Sequence, residues 1–308
     1  MALTLNTLRF NTQAQLDVGR IMRELTDLQR QVASAVKSNE LAGYGVGASR
    51  LLNTQSLVGV TDARANAASQ LQSRFGVQAS ALGQASSSAF NLSQAISDAI
   101  AGDNVNALGT ELTINFAAAV SALNETWNGQ PLFAGERLTG SPVKIGSLAE
   151  LVAATGPDDI FDEAERAQTI DLGPGARLTL ADKASDLSYD LFNTMRDFKL
   201  IIDGWGSSPP TSLSQAQKDE LQAIGKRLDA SRVTLTAAEG STGQLETRIV
   251  AERTRLQSRS TLLQKEVGEL SDADPAQLSI QISTLLSQYQ ATAKTFADIA
   301  NLSLLDYL

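Results

Sequence analysis

This chain contains neither histidine nor cysteine. Its carboxylates are therefore the side chains most suited to catalysis or metal binding. That composition excludes thiol catalysis, Ser-His-Asp triads, His-ligated haem and Cys- or His-based zinc sites. An acidic run comprises Asp158, Asp159, Asp162, Glu163 and Glu165, and paired carboxylates can bind calcium or cleave glycosides. The run lacks the spacing of a calcium-binding loop. We therefore interpret it as a solvated turn and helix start, and we predict no catalytic residue, no metal ligand and no cofactor.

A glycine-rich stretch contains Gly43, Gly45 and Gly47 and has the composition of a phosphate-binding loop. Such a loop requires a strand before it and a helix after it. Here the preceding residues show the apolar spacing of a helix, so the required context is missing. We interpret the stretch as a flexible connection between two helices.

Charge restricts the class of partner. The 308 residues include 25 basic and 34 acidic side chains, a formal net charge of -9, whereas nucleic acids and anionic membranes attract basic surfaces. A charged helix face with pairs four residues apart is formed by four arginines and two glutamates, which are Arg248, Arg253, Arg255, Arg259, Glu246 and Glu252. We expect no nucleic-acid and no membrane partner, and the first ten residues do not resemble a cleaved secretion signal.

The elements that position these residues follow from the distribution of proline. The prolines lie between 131 and 210, apart from Pro275, and helix interiors exclude proline. The two flanks can therefore form long helices, as the apolar spacing after Asn53 and after Leu221 also predicts. Asp274 and Pro275 form a helix start, with an N-cap residue followed by proline at the first helical position.

Both ends of the chain carry apolar residues at alternating spacings of four and three, which is the pattern of a helix-packing seam. The seam positions that we predict to serve assembly or partner binding are Val18, Ile21, Leu25, Leu28, Val32, Leu278, Ile282, Leu285, Tyr289, Phe296 and Ile299. Fully burying about seven such side chains stabilises a helix by roughly 10–20 kcal/mol. Ordering about 25 residues costs on the order of 25–50 kcal/mol, so we expect these helices to be marginal until other copies cover them.

The middle of the chain differs from both flanks. Residues 168–172 and 176–180 alternate in polarity around Gly173-Pro174-Gly175, which predicts a β-hairpin. A third helical pattern runs from Leu112 to Trp127. We predict a mainly α fold, in which long antiparallel helices from both termini form a coiled-coil or bundle stalk and carry a small α+β insert.

This pattern predicts three domains. They are terminal coiled-coil core helices (1–42 and 272–308), a helical bundle domain (43–129 and 186–271) and an outer α+β insert (130–185). The terminal seams have two interpretations at this point. They either close an intramolecular bundle or form an assembly surface that is completed between subunits.

Three stretches resemble the flagellin superfamily, and within it the hook-filament junction proteins (hook-associated protein 3). The final octapeptide, residues 301–308, is similar to the end of the junction proteins. Residues 123–135 resemble their segment before the outer domain, and residues 240–248 resemble a segment of their returning helix. The layout of helices around a central insert is also similar over nearly the whole chain.

The resemblance implies a structural subunit at the junction between hook and filament, assembled by packing of the terminal helices. It also implies type III export to the extracellular flagellum. The implied partners are further copies of the chain, hook-associated protein 1, flagellin and a flagellar export chaperone. A filament flagellin of the same superfamily is the alternative, and a soluble helical enzyme or binding protein is a third hypothesis.

Overall fold

The computed structural model describes residues 2–171, 177–179, 182–206 and 209–305. The chain divides into two compact units, Met1–Ala65 with Arg255–Leu308, and Asn66–Thr254. The helices are α1 (Ala2–Ser34), α2 (Ala48–Gly102), α3 (Leu108–Leu123), α4 (Leu148–Ala153), α5 (Pro157–Ile160), α6 (Ala184–Gly204), α7 (Gln215–Ser271) and α8 (Pro275–Leu305). The strands are β1 (Thr126–Trp127), β2 (Gln130–Pro131), β3 (Thr169–Asp171) and β4 (Arg177–Thr179).

Helices α2 and α7 extend over 55 and 57 residues, as the long proline-free flanks predict. Within the second unit they run antiparallel, and polar pairs join them. Gln78 Nε2 donates to Thr242 Oγ1 at 3.1 Å, and the hydroxyls of Ser86 and Thr236 lie 3.0 Å apart. The Gln78–Thr242 pair is buried, and a buried polar pair favours one register of two helices over neighbouring registers.

The core of the second unit combines α2 and α7 with α3, α6 and the residues between them. Phe192 of α6 contacts Phe116 of α3 and Phe161 after α5, with ring centroids 5.9 Å apart in both pairs. Phe192 is fully buried, and the other two rings are at most 6% exposed. Burial of large apolar side chains on this scale is the main stabilising contribution to such a unit.

The third predicted helix is shorter than the sequence pattern indicates. Helix α3 ends at Leu123, and Trp127 lies in β1 instead of continuing the helix. Asn124 ends the helix by exchanging side-chain hydrogen bonds of 2.9 and 2.8 Å with the backbone of Val143. Asn128 and Gly129 then have φ values of 50° and 77°, the left-handed conformations that a two-residue type I′ turn requires between β1 and β2.

Residues after β2 anchor the middle of the chain in the core. Leu132, Phe133 and Ala134 are buried, and the carbonyl oxygen of Phe133 accepts the Ala184 N–H at 2.9 Å. Gly135 has φ +64°, and a Cβ atom at this position would overlap the carbonyl oxygen of Arg166. This backbone path therefore requires glycine.

The predicted β-hairpin is present as an antiparallel pair of β3 and β4, in which Ile170 faces Leu178. The Gly173–Gly175 turn lies outside the described residues. The mainly α class with long helices and a small β-containing middle is confirmed. The three-domain division stays a prediction. Among the described residues, no helix is both long and apolar enough to cross a membrane.

Candidate assembly interface

Helices α1 and α8 pack against each other within the first unit. Val36, which follows α1, forms an antiparallel β-bridge with Asp272, which precedes α8. The end of α1 therefore lies beside the start of α8, and the two helices run antiparallel. Asp274 caps α8 as predicted, because its carboxylate accepts the Ala276 N–H at 2.8 Å.

The seam residues differ widely in burial within this pair. Ile21 and Leu278 are buried, at 3% and 6% exposure, and Val32 is 54% exposed. The side chain of Ile299 lies outside the described residues. The remaining predicted positions are half-buried; they are Val18, Leu25, Leu28, Ile282, Leu285, Tyr289 and Phe296. Their use in assembly or partner binding stays a prediction.

An open groove of about 590 Å³ runs between α1 and α8. Leu28, Ile280 and Leu285 supply its apolar lining, and glutamines, Arg20 and Glu24 supply much of its polar lining. Arg20 also pairs with Glu24 at 3.1 Å, but both side chains are about half exposed. Exposed pairs of this kind contribute little to stability.

Apolar side chains outside the predicted seam are also exposed on the same two helices. They include Leu16 at 61%, Met22 at 44%, Ile280 at 68% and Leu286 at 42% exposure. The heptad pattern omits them because they fall on other helix faces. The sequence marks these exposed positions only as isolated apolar residues on otherwise polar helix faces.

Residues 35–37 and 271–273, here called the crossing, connect α1 and α8 to the end of α7. Two backbone hydrogen bonds span the crossing, from Lys37 N–H to Ser271 O at 2.8 Å and from Ala273 N–H to Ala35 O at 3.0 Å. The Lys37 ammonium donates to the carbonyl oxygens of Glu269 and Leu270 at 2.8 and 2.9 Å. A cation at these carbonyls interacts favourably with the negative end of α7.

The glycine-rich stretch forms a short 3₁₀ segment, Leu41–Gly47, between α1 and α2. Gly45 has φ +52°, a value that glycine adopts at no steric cost. A helix precedes this segment, and no strand does. The structure therefore agrees with a connection between helices, and it lacks the strand context of a phosphate-binding loop.

The acidic run lies in a turn and the short helix α5, as predicted, but Glu163 departs from the solvated interpretation. Its side chain is 10% exposed, 3.2 Å from the Lys183 ammonium, and it accepts the Ser185 N–H of α6 at 3.0 Å. Burial of Lys183 acts in the opposite direction, but the hydrogen bond and charge of Glu163 raise the pKa of Lys183. Hydrogen bonds from the Thr155 side chain and backbone lower the pKa of Asp159. No acidic cluster suited to a metal ion is present in the part of the chain that the structure describes.

The C-terminal helices have a recognisable sequence pattern. Residues 226–308 match the bacterial flagellin C-terminal helical region. This flagellin-like region covers most of α7 and all of α8. Comparison with curated protein sequences finds no match.

Solved structures share the fold over most of the chain. A provisionally named flagellar hook-associated protein from Vibrio parahaemolyticus is 13% identical, with a TM-score of 0.58 over 73% of this chain and 97% of that one. FlgL from Bacillus cereus is 12% identical, with a TM-score of 0.57 over 70% of this chain and 99% of that one. At these identities the likeness concerns the fold.

Proposed function

We propose that the chain is a structural subunit of the bacterial flagellum and polymerises through α1 and α8. One observation carries this proposal: the flagellin-like region includes α8, and its apolar face is only half covered by α1. Leu285 and Tyr289 of this face remain partly exposed, and Ile280 on another face of α8 is 68% exposed. Packing against neighbouring subunits would remove this surface from water, which favours association. The role is structural and requires no catalytic residue.

Within the flagellum, we propose the position between hook and filament. The fold likeness to a hook-associated protein and to FlgL supports this placement, as does the similarity of residues 123–135 and 301–308 to the junction proteins. The partners would then be further copies of the chain, hook-associated protein 1 on one side and flagellin on the other. The site of action would be the extracellular flagellum.

The proposal also includes a flagellar export chaperone. The α8 face repeats apolar residues at spacings of three and four, which suits binding of a helix in the groove of a partner. Ile282, Leu285 and Tyr289 are half-buried within the chain alone. A chaperone that covered this face would have to leave before α8 packed into the assembly.

Charging the seam tests the assembly role. Leu25→Asp or Leu285→Asp would place a carboxylate in an apolar contact, which costs several kcal/mol when the contact is dry. We expect both variants to be exported and to leave the second unit folded, while cells secrete flagellin without forming filaments. Electron microscopy of the cells and circular dichroism of the purified variants measure the two outcomes.

Thr26→Asp and Ser283→Asp are matched controls, because both residues are exposed neighbours on the same helices. They introduce the same charge outside the seam and should preserve filaments. Normal motility in both leucine variants would contradict the assembly role and would favour a seam that closes only within the chain.

A filament flagellin is the second candidate, because the matched sequence pattern is that of bacterial flagellins. The two functions differ in abundance and place. A filament subunit should dominate sheared flagella, whereas a junction subunit should be scarce and should label with antibody at the filament base. Immunogold labelling of intact flagella separates them.

A further inference from the structure

The crossing is held by four hydrogen bonds, and of its six residues Ser271 alone is buried, at 8% exposure. The two backbone hydrogen bonds and the two bonds from the Lys37 ammonium all join residues 35–37 to the end of α7 and to the residues before α8. Lys37 is exposed. The two bonds from the Lys37 ammonium are exposed, and segments held by exposed hydrogen bonds open more easily than a core.

One residue of the crossing opposes these contacts. Ala35 has φ +57°, and the left-handed region is unfavourable for a residue with a Cβ atom. This conformation ends α1 at Ser34 and turns the chain towards Ala273. If Ala35 instead adopted right-handed helical angles, α1 would continue into Val36 and Lys37, since residues 36–40 contain neither glycine nor proline.

We propose that the crossing is a two-state latch. In the closed state, Lys37 and the two backbone hydrogen bonds hold α1 beside the start of α8. In the open state, Ala35 becomes helical, α1 lengthens, and its end separates from α8. Lys37 stabilises the closed state, and the unfavourable left-handed angle of Ala35 destabilises it relative to the open state.

The latch would control how far the α1 and α8 apolar faces are available to other molecules. This consequence rests on the proposed assembly function, whereas the two-state behaviour does not. Hydrogen exchange in the isolated monomer reports the latch directly. If exchange shows no two-state behaviour, the assembly proposal is unaffected. If the protein does not assemble, the latch is unaffected.

Two substitutions should shift the latch in opposite directions in the full-length protein. Lys37→Met removes the donors and keeps the aliphatic stem, so exchange at the Lys37 and Ala273 amides should accelerate about three- to fivefold. Ala35→Gly relieves the left-handed angle and disfavours the helical open state, so exchange should slow about two- to fivefold.

Lys265→Met is the matched control, because it also replaces a lysine by methionine but does so on α7, outside the hydrogen bonds of the crossing. Its side chain is 75% exposed, and its ion pair with Glu269 spans 4.0 Å. Exchange at the crossing should be unchanged in this variant. Circular dichroism verifies that each variant folds, and if Lys37→Met does not fold, Ala35→Gly alone decides. Unchanged or faster exchange in Ala35→Gly, or equal effects of Lys37→Met and Lys265→Met, would overturn the latch.

Discussion

Ile280 offers a way to separate assembly from the stability of the subunit. Its side chain is 68% exposed although it is part of the lining of the groove between α1 and α8. Ile280→Asp should therefore change the stability of the monomer by no more than about 0.5 kcal/mol, as is usual for surface positions. Ile21 is only 3% exposed, so its substitution should change the stability of the monomer.

The expected effect on assembly follows from the surface that remains exposed. Full burial of an isoleucine stabilises by roughly 1.5–3 kcal/mol, so covering the exposed two-thirds of Ile280 contributes about 1–2 kcal/mol per subunit. A carboxylate in the same contact loses that contribution and adds a desolvation cost of several kcal/mol. Because every subunit in a polymer makes this contact, Ile280→Asp should abolish polymerisation.

The assay pairs two measurements on each variant. Thermal unfolding of the monomer is followed by circular dichroism, and polymerisation is followed by light scattering and electron microscopy. Ile21→Ala should destabilise the α1–α8 pair by about 2–4 kcal/mol, while Ser279→Asp should leave both readouts unchanged. Polymers of Ile280→Asp with wild-type yield would refute the reasoning that this exposed face is covered by a neighbour.

Three further predictions concern the fold and the partners. Gly135→Ala should cost about 3 kcal/mol or more, measured by urea unfolding, because its φ is positive and its Cβ would overlap backbone; Gly129→Ala, with open space around it, should cost about 1 kcal/mol. Lys183→Met should cost about 1–3 kcal/mol at pH 8. Because the pKa of Lys183 is raised by folding, its contribution is present below the ordinary lysine pKa of about 10.4 and is lost as pH rises through the folded value, so the two proteins should converge in alkali. The export chaperone, titrated by calorimetry, should bind the full chain and fail to bind a chain ending at Ser271; equal affinities would exclude α8 as its site.

The helices were predictable because long stretches lack proline and repeat apolar residues at helical spacing. That signal failed at the end of α3, where Trp127 continues the apolar spacing but belongs to β1. Asn128-Gly129 was the competing signal, since this dipeptide favours a tight hairpin turn. Asn124 supplies the side-chain hydrogen bonds that end the helix, and they depend on Val143, which no local pattern identifies.

The seam was predictable as a face but not as an interface. Heptad spacing places Ile21 and Leu25 on one side of α1, yet it gives the same pattern whether a helix packs within a chain or between chains. Only the structure shows that Ile21 is buried and that Val32 and Ile280 stay exposed. The crossing had no signal in the sequence, because backbone groups form two of its contacts and Lys37 resembles any surface lysine.

The pairing of α1 with α8 also determines the order in which the protein acquires its structure. Lys37 and Glu269 lie 232 positions apart in the chain, and closing a flexible loop of that length costs about 5 kcal/mol of chain entropy. During synthesis α1 emerges from the ribosome long before α8 exists. The pair should therefore form last in folding, after the residues between its two helices have become compact, and it should be the slowest contact to recover after dilution from denaturant.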